Sequence, residues 1–304
     1  MNTQQIIREL NKLDLSTYPY QEAKKLIGGL GKIIVISETL FPGDRILRVR
    51  PQKPHQDFEK SFTELKELNY KLPHPKDKYK RASIPNSTTN STMFYGSIVP
   101  KNLLPTELSA SQITCAFEGS EFIRNINESG IQKLTYSKWI VTKKITLVAI
   151  VHYKDFIASS SYTNRLNQSF LRTINQYPKY INDTLLVSEF FAKQFAKSIT
   201  DNDYEYLHSA CFTETILKKD FGGVLYPSVR TEGKGFNVAI HPFYADNNIE
   251  LEASLECFAF KNQDNLFINN NTVALVLKGQ KTIDYKPILP QYKADLHTVI
   301  QNLV

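Results

Sequence analysis

At 304 residues the chain can bury a substantial core, as one large domain or two small ones. A content of 41% hydrophobic and 22% charged residues excludes wholesale disorder. No run approaches the ~18 uncharged apolar residues of a membrane span, so no membrane partner is expected. The net charge of +7 is spread among dispersed lysines and arginines, with short runs such as KDKYKR ending at Arg81. It favours an anionic small molecule entering a cleft over direct binding of nucleic acid.

Taken in chain order, residues 2–13 place Ile6, Ile7, Leu10 and Leu13 at helical spacing, and 20–30 predicts a second short helix. Gly28-Gly29-Leu30-Gly31-Lys32 resembles a phosphate loop superficially. It runs from a helix into the apolar strand IIVI at 33–36, the reverse of the order a phosphate loop needs, and so reads as a helix C-cap and turn. A strand follows at 45–50, a helix around 56–69, and a Pro-, Asn-, Ser- and Thr-rich loop at 72–91. TMFYGS is strand-like, residues 110–125 are helical, and 139–152 read as one or two strands around Lys143-Lys144. Helices are expected over 163–176, 178–198 and 204–219. The strands GVLYPSV, FNVAIH, IELEASLECFAF and TVALVLKG complete the pattern.

This irregular order predicts an α+β fold with mixed sheets and flanking helices. The expected division is a helical N-terminal extension at 1–40, a catalytic domain at 41–280 and a C-terminal tail at 281–304. The opening MNTQQIIREL lacks an apolar h-region. Cys115, Cys211 and Cys257 are too far apart for a metal pair and odd in number for a disulfide framework, so a cytoplasmic location is expected. The six histidines show no metal-ligand spacing, and no catalytic metal is expected.

The residues with most to say about chemistry are Arg81, Tyr95, Glu118 and Ser228, each polar in an otherwise apolar, strand-like context. Arg81 follows a lysine-rich loop, and its planar guanidinium suits a pyrophosphate or ribose. Tyr95 offers a ring for stacking and a hydroxyl. Glu118 interrupts Cys115-Ala116-Phe117, where a carboxylate can stabilise the positive charge of an oxocarbenium-like transition state. Glu121, three residues on, is an alternative carboxylate. Ser228, in LYPSVR, lacks a nucleophile-elbow pattern and reads as an orienting hydroxyl. Each residue taken singly also fits an ordinary surface, core or turn role.

Together, KRASIP, MFYGS, TCAFE, LYPSVR and GFNVAI occur in an order that resembles the RES domain family, over roughly residues 45–260. The resemblance assigns Arg81, Tyr95, Glu118 and Ser228 to catalysis, and Asn237 and, from LRVR, Arg48 to binding. It implies an ADP-ribosyltransferase-like core and a bacterial toxin that degrades NAD by hydrolysis or phosphorolysis. NAD is then substrate, with no further cofactor. An Xre-like antitoxin protein is the implied partner, and a homodimer is allowed. The alternatives are a mono-ADP-ribosyltransferase acting on a protein or nucleic acid, and a non-catalytic basic binding module.

Overall fold

A computed structural model describes residues 1–56, 58–70, 93–98, 110–197, 203–217, 221–263 and 265–288. Among these the fold is α+β, a ten-stranded mixed sheet with eight α-helices. In chain order the elements are α1 (Thr3–Lys12), α2 (Tyr20–Gly28), β1 (Ile36–Leu40), β2 (Arg45–Pro51), β3 (Phe94–Ile98), α3 (Ala110–Gly119), α4 (Glu121–Arg124), β4 (Gly130–Val141) and β5 (Ile145–Ala149). They continue as α5 (Ser161–Asn175), α6 (Ile181–Phe195), α7 (Leu207–Leu217), β6 (Gly223–Pro227), β7 (Phe236–Ile240), α8 (Pro242–Asn248), β8 (Ile249–Asn262), β9 (Asn265–Leu275) and β10 (Lys286–Pro287). The strand order is β1-β5-β6-β7-β3-β2-β4-β8-β9-β10. Among the described strands only β5 and β6 pair in parallel, the two being joined through α5, α6 and α7.

Residue alternation along the central strands sorts side chains to two faces. Ile46, Phe94, Ile98, Phe236, Val238 and Ile240 meet α5 on one face. On the other, α1, α2, α6 and α7 pack over β5, β6 and β7 through Leu10, Ile27, Phe191, Phe212, Val224 and Ala239. α3 and α4 cover a neighbouring stretch of that second face through Ala116, Phe122, Leu134, Tyr136 and Cys257. Between these two helical groups runs a cross-strand row, Leu47 opposite Ser97, Ser97 opposite Asn237, and Asn237 opposite Tyr226.

The helices at the N-terminus form where the periodicity placed them. Asn2 and Gln5 close a reciprocal capping box on α1. α2 ends at Gly28, and the Gly29 amide donates to Lys25 and Leu26, so the glycine run is a helix end. The strand expected at 33–36 lies instead at 36–40, paired with β5. The helix expected around 56–69 is reduced to one 3-10 turn, Leu65–Leu68. Its backbone is committed elsewhere: the buried Lys133 ammonium donates to the carbonyls of Phe58 and Lys60, and the amides of Leu65 and Ile283 bond to Lys281 and Thr63. Lys133 is 3% exposed and pairs with the equally buried Glu256 at 2.9 Å. The strand expected from 139 begins nine residues earlier, at Gly130, because Gln132, Lys133, Thr135 and Ser137 are buried in the sheet.

Candidate functional site

α3 crosses β2 and β3, and its last turn carries Glu118 toward the central row of the sheet. There Glu118 Oε1 accepts two hydrogen bonds, from Ser228 Oγ at 2.6 Å and from Asn237 Nδ2 at 2.7 Å. Asn237 Oδ1 in turn accepts from Ser97 Oγ at 3.0 Å. Ser97, Ser228 and Asn237 are buried, whereas Glu118 is half-buried. Both donors meet on one carboxylate oxygen; among the described residues Oε2 accepts no hydrogen bond. The carboxylate is thus locked by one oxygen and offers the other.

Local chain geometry explains how Glu118 arrives there. Ser120 ends α3 and caps α4, its Oγ accepting from the Ile123 amide and donating to Gln132 Oε1. Arg124 folds back so that Nη1 donates to the carbonyls of Phe117 at 2.8 Å and Glu118 at 3.0 Å, two of the otherwise open acceptors at the end of α3. Ser228 begins the turn between β6 and β7, in which its amide bonds to the Gly235 carbonyl and its own carbonyl accepts from Gly233. Gly233 has φ +77°, a left-handed conformation that glycine takes without strain. Gly235 lies so close to α3 that a Cβ there would come within 1.8 Å of Thr114 Oγ1.

The structure therefore brings Glu118, Ser228 and Asn237 together and adds Ser97, which sequence reasoning missed. The signal was its place opposite Asn237 in the register, which a single strand cannot display. Glu121 is exposed in the first turn of α4 and takes no part in the cluster. Tyr95, half-buried, shares the Ser97 face of β3 and packs against the α1, α2, α6 and α7 core. Arg48 is set apart: its guanidinium lies 5.9 Å from the Phe94 ring centre, on the Ile46 side of β2, while Leu47 and Val49 face α3. Arg81 lies outside the described residues.

The Arg124 side chain adjoins the cluster through the Glu118 carbonyl. Arg124 is half-buried, and burial followed by the nearby Arg230 lowers its pKa, with Glu118 acting the other way. Arg230 sits in the 3-10 turn Val229–Thr231, which rests on α3 with Thr231 Oγ1 3.5 Å from Thr114 Oγ1. Cys115, one turn before Glu118, is pushed up to about 12 by burial and stays a thiol at neutral pH. The apolar cavity lined by Ile33, Val148, Ile150, Val187, Phe191 and Phe212 is elsewhere, within the first core. It encloses ≈ 30 Å³, and His152 and Ser188 are the polar residues that line it.

Among the described residues no group of three or more His, Cys, Asp or Glu is placed to hold a metal ion, and no helix is long and apolar enough to cross a membrane. No protein-family model matches the chain, and no curated protein sequence matches it.

Proposed function

We propose that this protein cleaves the nicotinamide–ribose bond of NAD, with Glu118 as the central group. The observation that carries this reading is the Glu118 carboxylate, held through Oε1 by Ser228 and Asn237 and presenting Oε2. As the C1′–N bond breaks, its electron pair passes to the pyridinium nitrogen, so nicotinamide leaves neutral without needing a proton. The positive charge moves to the ribosyl ring, where a fixed carboxylate oxygen stabilises it and accepts from the 2′-hydroxyl. Water or phosphate then attacks C1′; with water, one proton is released. Two hydrogen bonds fixed before reaction spare the site the reorganisation that solvent would require.

The Ser228 hydroxyl donates its hydrogen bond to Glu118, so its task is to hold the carboxylate. Tyr95, on the same face, flanks the nicotinamide side. The likeness to RES-domain sequences supports the same substrate, an ADP-ribosyltransferase-like core, and a toxin role held in check by an Xre-like antitoxin.

The test is nicotinamide release by purified protein from NAD, with and without phosphate, beside Glu118→Gln. The expected result is release that falls by at least ~100-fold in the variant, in the range of losing a principal electrostatic group. Phosphate dependence would name the acceptor. Full activity in Glu118→Gln, or label from NAD left on a macromolecule, would overturn the free-acceptor cleavage reading.

A further inference from the structure

The sheet ends differently on its two sides. On one, β1 is five residues long and carries Glu38. On the other, β9 runs for eleven residues, and β10 pairs with only Thr272 and Val273 of it. The Ile288 amide adds one bond to the Asn271 carbonyl. Among the described residues, the stretch 265–270 is therefore a bare sheet edge. Its pairing with β8 starts at Asn262 opposite Asn265, across a two-residue turn in which Gln263 has φ +51°. A turn of that length makes its flanking residues a hydrogen-bonded pair. Phe267 and Asn269 repeat that pattern against Phe260 and Phe258, so Leu266 and Ile268 direct their amides and carbonyls away from β8. Those outward groups make no hydrogen bond among the described residues. Apolar side chains flank them on both faces. Phe267 is 51% exposed, its ring 6.3 Å from that of Phe260. Leu266 and Ile268 lie partly buried on the opposite face, the one that carries α3.

We infer that β9 is the contact strand of a homodimer, in which two copies pair antiparallel, edge to edge, about a two-fold axis at Phe267. An antiparallel strand edge is self-complementary under such an axis. With Phe267 on the axis, Leu266 and Ile268 of one copy stand opposite Ile268 and Leu266 of the other. Every outward amide and carbonyl of these residues then finds a partner. The two Phe267 rings meet on one face, and the two Leu–Ile pairs on the other. Charge favours a second copy over a foreign strand. No charged residue and no proline occurs from 265 to 277, in a chain of which 22% of residues are charged. Edge strands are commonly guarded by lysine or proline. An edge that pairs with itself must instead be free of charge, because two-fold symmetry sets like against like. A charged partner segment has nothing on this strand to recognise. Four strands lie between β9 and β7, so the contact is remote from the Glu118 cluster and independent of the cleavage reading.

The experiment is light scattering of the full chain over a concentration series, using wild type, Phe267→Lys, Phe267→Glu and an equimolar mixture of the two variants. Wild type should rise toward twice the mass of one chain. Each variant alone should dissociate at least ~tenfold more readily, through loss of the aromatic pair and repulsion across the axis. The mixture should recover the dimer, because lysine then faces glutamate. Circular dichroism checks that each variant keeps the fold. If a variant unfolds, amide exchange in wild type decides: the Leu266 and Ile268 amides should slow at least ~tenfold as concentration rises, since pairing protects them. Exchange of those two amides that is the same at all concentrations overturns the inference. So does a folded pair of variants that dimerise as wild type does, or a mixture that stays monomeric. A wild type that is monomeric throughout also overturns it, and leaves the edge to a strand of another protein or to none.

Discussion

Asn237 has two chemically different ends, and only one orientation satisfies both neighbours. An ionised carboxylate only accepts, so the amide nitrogen must face Glu118; the amide oxygen then faces Ser97, whose hydroxyl must donate. On the proposed reading Ser97 is a positioning residue for Glu118, acting through Asn237. Ser97→Ala should let the amide turn and bring its oxygen against the carboxylate. The expected effect is a fall of about fivefold in kcat with little change in KM, in keeping with one lost hydrogen bond of ~1 kcal/mol. Steady-state nicotinamide release measures it, and Ser97→Thr, which restores the hydroxyl, should recover most of the rate. Equal loss in both variants would mean a packing role instead. Sequence alone left Glu118 and Glu121 as alternatives because both fit one helix. They part because Ser120 breaks that helix in two, sending Glu121 to the exposed start of α4.

α3 and the 228–235 turn must touch for the carboxylate to meet Ser228, and Gly235 sets how closely they do. A Cβ at Gly235 would meet Thr114 Oγ1 at 1.8 Å and its Cβ and Cγ2 at 2.7 Å. Gly235→Ala should therefore cost about 1–3 kcal/mol, the range for overpacking a filled site. Urea denaturation would read this as a lower midpoint, and adding Thr114→Ala should restore part of it. An unchanged midpoint would mean that α3 does not seat there. At this scale much of the fold was legible. β3, β6 and β7 carry apolar runs bounded by turn residues, and α1, α2, α5, α6 and α7 carry helical periodicity. Residues 56–69 were not, because Lys133 from a distant strand claims their carbonyls. The first part of β4 was hidden by the same lysine and its polar neighbours, which sequence reads as exposed and the fold buries. The site was legible in its residue types and invisible in its pairing: nothing in a linear sequence says that Ser97 faces Asn237, or that Arg48 lies on the far side of β2.

Across the whole molecule, the α1, α2, α6 and α7 core contains a buried histidine that makes stability depend on pH. His208 is 3% exposed, and burial, with Lys197 nearby, lowers its pKa from 6.5 to about 4. The unfolded chain thus binds a proton near pH 6.5 that the folded chain refuses until about pH 4. The sign follows directly: this contribution to stability is present above pH 6.5 and is lost as pH falls toward 4, up to about 3 kcal/mol. His208→Phe, placed beside Phe190, should flatten the melting temperature between pH 6.5 and 4. An identical pH profile in the variant would assign the acid sensitivity to other groups.

The hydrogen bonds around Glu118 join residues far apart along the chain. Glu118 lies 110 residues from Ser228 and 119 from Asn237, and Ser97 lies 140 from Asn237. A ribosome elongating this chain at roughly 5–20 residues per second would release the carboxylate seconds before its partners exist. During that interval the polypeptide holds the acid without the two donors that aim it, and β3 without β7 beside it. On the proposed reading, competence to destroy a metabolite on which the synthesising cell depends appears only once β6 and β7 have been made and β7 has paired with β3. A translation product that stops short of Asn237 would lack a donor that aims the carboxylate.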